Sequence, residues 1–305
     1  WTEPVVNTAA GYSPRPGLMH LLIGHEGSLG LITRARVRLL PLPRGVLSLM
    51  AFFSDKAAML TMVSRARRGA QRAVAGPEGA VPDGALSPRA IEYFDAHALN
   101  MVRARVPDIP ADARHALFVE VEHDGEPPLE QWWEALEDAG ALMDDIIVAE
   151  DDAGRHRLQA VRHAIPAGVN EKVVANGMPK VGTDFAVPDH ALPEMLAAYE
   201  AVEMDHICFG HIGDNHLHLN FLPTDAAELA AAKAQYRALA LRAVALGGTV
   251  SAEHGIGKLK RELLAQMVGA DVMAGFRQLK ASADPAWILG RGTLLDAPPQ
   301  PPRPR

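Results

Sequence analysis

The sequence predicts an α+β fold, an antiparallel sheet with helices covering one side. Two observations carry this. Strand-length apolar runs are mixed irregularly with helix-length stretches, without the regular βαβα alternation of a parallel sheet. A hairpin is also written into one region. His206-Ile207-Cys208-Phe209 is a short apolar run ending at Gly210, Gly213-Asp214-Asn215 is a turn signal, and His216 to Phe221 alternates strictly.

The elements follow in order. After a turn-rich lead, Ile32 to Leu40 carries arginines at period 2 (Arg34, Arg36, Arg38), which argues for a half-exposed strand. Pro41 and Pro43 end it, and a boundary falls at 44. Leu47 to Phe53 is the next strand. Asp55 can cap a helix to about Ala73, and Gly76 to Asp83 is loop. Ser87-Pro88 has the form of a cap followed by proline at the first helical position, and predicts a helix to Val106. Leu117 to Val121 reads as a strand, Leu129 to Ala139 as a helix ended by Gly140, Ile146 to Ala149 as a short strand, and 155–173 as a helix.

Val181 to Val187 reads as a strand, and Pro188-Asp189 starts a helix to Glu203. Thr224 opens an Ala-rich helix to Leu246, closed by Gly247-Gly248. A strand over Gly248 to Ser251 then delivers Glu253 and His254 into a Gly-rich loop. Leu259, Leu263, Leu264 and Met267 form a helical stripe, and Ala297 to Arg305 is a Pro-rich tail.

Composition narrows the function classes. The 305 residues suffice for one large or two smaller domains, and a net charge of −7 gives no reason to expect a nucleic acid or an acidic membrane as partner. Arg65-Ala66-Arg67-Arg68 reads as a solvated helix face. Cys208, the only cysteine, fits a reducing compartment, so the cytoplasm is expected. No apolar run approaches the ~20 residues of a spanning helix, and no signal-peptide pattern stands out. The chain opens on Trp1, which reads as a piece of something longer.

Chemistry concentrates in two Gly-bounded stretches, FGHIGDNHLHLN at 209–220 and GGTVSAEHGIG at 247–257. A lone histidine near a glycine turn is usually a surface residue or a satisfied core residue. Three histidines and an asparagine around one turn, with a distant Glu-His between glycines, are harder to dismiss. Such groups suit a divalent metal with an open position. His216, His218 and Asn220 share one strand face, with Leu217, Leu219 and Phe221 on the other.

The first stretch resembles the HxGDGNLHxN segment of the flavin-linked D-2-hydroxyacid dehydrogenases, and SAEHGIGKLKRELL at 251–264 is similar to their second signature. LLIGHEGSLGLITRARVRLLPLP at 21–43 resembles the end of that family's FAD-binding domain, and Asn7 to Tyr12 its NTAGY stretch. The match runs in order from about residue 5 to about 290. It implies a ferredoxin-like cap domain over 45–296, preceded at 1–44 by the tail end of an FAD-binding domain. The family's Gly-rich pyrophosphate segment precedes NTAGY and is absent here, so the main FAD site is expected upstream.

The resemblance also implies roles. His211, His218 and Glu253 would hold the metal, with Zn²⁺ suiting the ligand types best and Mn²⁺ or Fe²⁺ as alternatives. His254 would be the general base. Arg162, Lys180 and Asn220 would bind the substrate, a small 2-hydroxy acid such as D-lactate. Gly24, Glu26, Gly27, Gly30 and Ile32 would touch FAD. An electron acceptor, and a separate FAD-binding half, would be partners. The chain departs from the pattern at His216, whose imidazole either supports the ligands from behind or faces solvent, and at His25, where Ser is usual. Two other classes compete. One is a metal-binding cap module inactive without its FAD half. The other is a metal-dependent hydrolase using the same two histidines, Glu253 and His254.

Overall fold

A computed structural model describes residues 1–75, 85–106 and 108–296. The expected loop at Gly76 to Asp83 and the Pro-rich tail from Ala297 lie outside the described residues. In chain order the elements are α1 (Leu18–Leu22), β1 (Gly45–Phe53), α2 (Lys56–Ala75), β2 (Ala90–Asp95), α3 (Ala96–Val102), β3 (His115–His123), α4 (Leu129–Ala139), β4 (Ile147–Ala149), α5 (Asp152–Asn176), β5 (Val181–Gly182), β6 (Phe185–Ala186), α6 (Leu192–Glu200), β7 (His206–His211), β8 (His216–Phe221), α7 (Ala226–Ala245), α8 (Arg261–Val268) and α9 (Ala270–Ala283). Contacts divide the chain into two compact units. The first holds Trp1–Leu39, Asp184–Ala191 and the chain from Gln235 on; the second holds Leu40–Thr183 and Leu192–Ala234.

The second unit is built on an antiparallel sheet with strand order β4-β1-β3-β2-β7-β8-β5. Its first four strands, with α2 between β1 and β2 and α4 between β3 and β4, have the βαββαβ order of a ferredoxin-like unit. The β7–β8 hairpin extends that sheet beyond β2. Met50, Phe52, Phe94, Ala116, Phe118 and Ile207 pack with Leu99 and Val102 of α3 and Leu158, Val161 and Ile165 of α5 into one core. The alternate residues Leu49, Ala51, Phe53, Leu117 and Val119 are equally buried. α2 packs on β1, β3 and α4 and supplies Met59, Met62 and Val63, while α4 supplies Trp132 and Leu136. Helices therefore cover both faces, not one: β1 is buried along seven consecutive residues, which one-sided cover does not allow.

The helix ends follow local chemistry. Asp55 accepts the Ala58 amide at 2.9 Å and starts α2, and Asp151 accepts that of Gly154 at 2.7 Å and starts α5. α4 and α5 stop at Gly140 and Gly177, both left-handed.

Several expectations are corrected. The helix expected from Ser87 is instead β2 followed by the short α3, whose cap is Asp95 accepting the Ala98 amide at 2.7 Å. Ile91, Tyr93 and Phe94 are buried between β3 and β7, and tertiary pairing outweighs the Ser-Pro signal. Ile32 to Leu40 is an exposed segment without strand structure, because a period-2 pattern marks faces but does not supply a partner ladder. The strand expected over 181–187 is two two-residue strands, β5 and β6. At 189–191 a 3₁₀ turn precedes α6, which ends at Glu200. The expected strand at 248–251 is reduced to a single bridge between Thr249 and Ala186. Leu259 is 96% exposed ahead of α8, so only Leu263 and Leu264 of that stripe enter the core.

In the first unit, the N-terminal segment is knitted to chain more than 200 positions away. The Ala9 amide donates to Ser251 O at 3.0 Å. Tyr12 packs on Phe276, ring centroids 4.9 Å apart, and its hydroxyl meets Ser28 Oγ at 2.7 Å. Gly11 has φ +82° and a Cβ there would sit 2.8 Å from Phe276 Cε2, so glycine is required. Lys280 is buried and spends its ammonium on Ser28 O (2.6 Å), Leu289 O (2.8 Å) and Asp284 Oδ2 (2.5 Å).

Candidate functional site

In the second unit the hairpin gathers three imidazoles. β7 ends at His211, a turn through Asn215 in the left-handed region reverses the chain, and β8 opens with His216. Nitrogens of His211, His216 and His218 lie within 4.8 Å of one another. Two of the rings are oriented by fixed acceptors. His211 Nδ1 faces Glu92 Oε1 at 3.0 Å, and His218 Nδ1 faces Thr183 O at 3.0 Å. An Nδ1–H held this way leaves the lone pair on Nε2, the tautomer a metal ligand needs. His216 is fully buried, so the solvent-facing reading of that departure does not hold.

Glu92 was not singled out by sequence. It is buried on β2, and the register that pairs Tyr93 with Gly210 and Phe94 with Phe209 places it opposite His211 when continued by one residue. Burial acts to raise its pKa, but His211 and then Arg162 more than offset this and hold the carboxyl below its ordinary range. Arg162, on α5, gives Nη2 to Glu92 Oε1 at 2.7 Å with its side chain still 35% exposed. A cleft of about 500 Å³, lined in part by Arg67, Arg89, Glu92, His211 and Asp214, opens beside this group.

Lys180 and Asn220 are brought together. Lys180 Nζ donates to Asn220 Oδ1 at 2.9 Å, and the Asn220 amide donates to His218 O at 3.1 Å. Burial lowers the Lys180 pKa.

In the first unit, Asp184 is a fully buried carboxylate around which the SAEHG loop is wrapped. Oδ2 accepts from Ser251 Oγ (2.7 Å), Lys260 Nζ (2.7 Å) and the His254 amide (3.1 Å), while Oδ1 accepts the Glu253 amide at 3.2 Å. His254 is 58% exposed, with Nδ1 3.8 Å from Asp184 Oδ1 and Nε2 3.4 Å from Glu253 Oε1. Asp184 is the second residue the sequence did not assign; a lone acid inside the apolar run VGTDFAV was the available signal.

The expected flavin-contact residues also lie in the first unit. Glu26 accepts the amides of Ile256 at 2.6 Å and Gly257 at 2.8 Å. Gly24 and Gly27 have positive φ; a Cβ on Gly24 would meet Gly11 O at 3.0 Å, whereas Gly27 and Gly30 face open space. Ile32 is 61% exposed. His25 is buried, with Nδ1 3.5 Å from the Leu29 amide.

Comparison with known proteins identifies the family. Residues 80–294 match the family "FAD linked oxidases, C-terminal domain". A probable mitochondrial D-lactate dehydrogenase of Danio rerio is 30% identical over 300 residues, covering 95% of this chain and 55% of that protein. A D-2-hydroxyglutarate dehydrogenase of Xanthomonas citri pv. viticola is 30% identical over 317 residues, covering 96% and 59%. Among solved structures, an alkyldihydroxyacetonephosphate synthase superposes with a TM-score of 0.56 at 14% identity over 91% of this chain and 50% of that one, a likeness of fold. The chain belongs to the FAD-linked oxidases, as a C-terminal domain of that family. It spans 55% and 59% of the length of those two relatives. Among the described residues, no helix is long and apolar enough to cross a membrane.

Proposed function

We propose that this chain is the substrate- and metal-binding part of a flavin-linked dehydrogenase that oxidises a D-2-hydroxy acid, such as D-lactate, to the 2-oxo acid. The observation that carries it is the pair of oriented imidazoles, His211 and His218, each with Nδ1 held by a fixed acceptor. That donor chemistry fits a borderline cation, Zn²⁺ first and Mn²⁺ or Fe²⁺ after it. Glu253 as the carboxylate ligand, and 1–44 as the end of an FAD-binding domain, rest on the resemblance of their motifs.

A cation held by His211, His218 and Glu253 would supply Lewis-acid polarisation of the substrate hydroxyl, and FAD would supply the hydride acceptor. The chain does the rest. His254, with Nδ1 turned to Asp184, takes the hydroxyl proton at Nε2. Arg162 and Lys180 bind the substrate carboxylate, and Asn220 holds Lys180 in place. Glu26 shapes the turn beside the flavin through the Ile256 and Gly257 amides, while Gly24, Gly27, Gly30 and Ile32 supply backbone and apolar contact. The Gly24–Gly30 turn supplies only part of a flavin contact surface, so weak FAD binding by these residues on their own is the expected outcome. The electron acceptor is a separate partner, and the single buried Cys208 favours a reducing compartment such as the cytoplasm. Membership of a flavin-linked family supports this reading over a hydrolase.

The test is anaerobic mixing of the protein, supplied with its FAD-binding part, FAD and metal, with D-lactate, L-lactate and D-2-hydroxyglutarate. Flavin bleaching by a D-acid and not by L-lactate is expected. A flavin that none of the D-acids reduces would count against the proposal.

A further inference from the structure

We propose that Glu92 is a positioning residue for the metal ligand His211, fixing its Nδ1–H tautomer so that Nε2 points to the cation, and tying Arg162 to the same oxygen. The inference rests on the metal reading above and adds a residue that neither sequence motif contains.

Three observations converge. First, both donors reach one atom: His211 Nδ1 lies 3.0 Å and Arg162 Nη2 2.7 Å from Glu92 Oε1. A single oxygen thus links the imidazole assigned to the metal and the guanidinium assigned to the substrate carboxylate. Second, the link is made between elements of regular secondary structure in the second unit. Glu92 and His211 lie on adjacent antiparallel strands, and Arg162 comes from the 25-residue α5 packed on that face. Third, the position is 6% exposed, between Ile91 and Tyr93. A carboxylate there pays a desolvation cost that an apolar residue avoids, and removing one partner of such a buried pair is worse than never having it. A purely structural position would be better served by Leu or Met. A carboxylate on the far nitrogen of an imidazole, by contrast, raises the basicity of the near one and sets the ring's angle.

The experiment uses the chain as it stands, with Zn²⁺ alone as probe. Two quantities are read for the wild type, Glu92→Gln and Glu92→Ala: the Zn²⁺ dissociation constant by chelator competition, and the tautomer of His211 by imidazole ¹⁵N shifts in metal-free protein. The wild type should show Nδ1–H at His211. Glu92→Ala should populate Nε2–H and bind Zn²⁺ ~10–100-fold more weakly. Glu92→Gln keeps the shape and an acceptor oxygen, so it should recover part of both effects, and it decides the matter if the alanine variant does not fold. Wild-type affinity in a folded variant, with the tautomer unchanged, overturns the inference while leaving the metal reading intact. A wild type that takes up no Zn²⁺ sinks the metal reading instead; the tautomer then still reports on Glu92, and its failure to respond overturns the positioning role as well.

Discussion

Glu26 Oε1 accepts the backbone amide of Ile256 at 2.6 Å across 230 positions of sequence, and Oε2 takes the next amide, Gly257, at 2.8 Å. Glu26 itself sits at φ +50°, a region few non-glycine residues occupy. Gly255 has φ +73°, and a Cβ there would lie 2.8 Å from Glu26 Oε1. The carboxylate therefore replaces the solvent or ligand that two consecutive loop amides would otherwise need. Glu26→Ala should cost ~2–4 kcal/mol, since each hydrogen bond to a charged group is worth ~1.5–3 and water recovers part of it. Glu26→Gln should lose less, because one amide keeps its acceptor. Denaturant unfolding measures both; equal stabilities for wild type and Glu26→Ala would show these bonds to be incidental.

Asp184 anchors the same loop from the other side. Lys260, only 14% exposed, depends on it for its charge partner. Asp184→Ala removes the charge partner of that ammonium, which keeps only Ser251 Oγ at 3.1 Å, together with the acceptor of the Glu253 and His254 amides, and should destabilise the protein by ~3–5 kcal/mol. The 252–257 loop should also become more open to protease, while Lys260→Met with Asp184→Leu should regain part of the loss. A single variant as stable as wild type would contradict the anchoring role.

Asp95 predicts a pH dependence. Burial pushes its carboxyl up to about 6 from 3.8, against the Ala98 and Cys208 amides that favour the charged form. Between pH ~4 and ~6 the folded state thus binds more protons than the unfolded one, and stability falls as pH rises through that window. The penalty is absent below pH 3.8 and complete above 6, on the order of 2–3 kcal/mol. Asp95→Asn should lack this component. Urea titrations of both proteins at several pH values between 4 and 7 compare them; parallel profiles would remove Asp95 as the source.

The sequence made the hairpin histidines and most element types legible, because alternation, caps and glycine stops act over a few residues. Asp55, Gly140 and the His216–Phe221 alternation are examples. What stayed hidden depends on partners far along the chain. Ser87-Pro88 looked like a helix start, yet β2 is decided by its neighbours β3 and β7, and with it Glu92 was lost inside a supposed helix. Asp184 collects donors from residues 67 to 76 positions away, which no local pattern shows. Glu26 was legible as a motif residue, but its carboxylate faces amides of the distant loop.

Metal content separates ligand from neighbour. His211→Ala, His218→Ala and Glu253→Ala should each lose metal, since each removes a proposed donor, whereas His254→Ala should retain it near the wild-type level. Elemental analysis after dialysis of metal-replete protein gives the answer. Undiminished metal in His211→Ala would cancel the assignment of that ligand.

The mechanistic prediction concerns His254. In an enzyme containing this chain together with its FAD-binding part, His254→Ala should lower kcat ~10²–10⁴-fold, the usual effect of removing a general base. Its Nδ1 lies 3.8 Å from Asp184 Oδ1 and its Nε2 3.4 Å from Glu253 Oε1. Arg162→Ala should behave differently. It removes carboxylate binding shared by ground and transition states, so KM should rise more than kcat falls. Its loss also strips Glu92 of one partner, so some decline in metal affinity should accompany it. Anaerobic single-turnover reduction of the flavin by a D-2-hydroxy acid isolates the chemical step from reoxidation by the electron acceptor. If His254→Ala reduced flavin at the wild-type rate, with chemistry shown to limit that rate, the base would have to be sought elsewhere and His254 would be a loop residue held by Asp184.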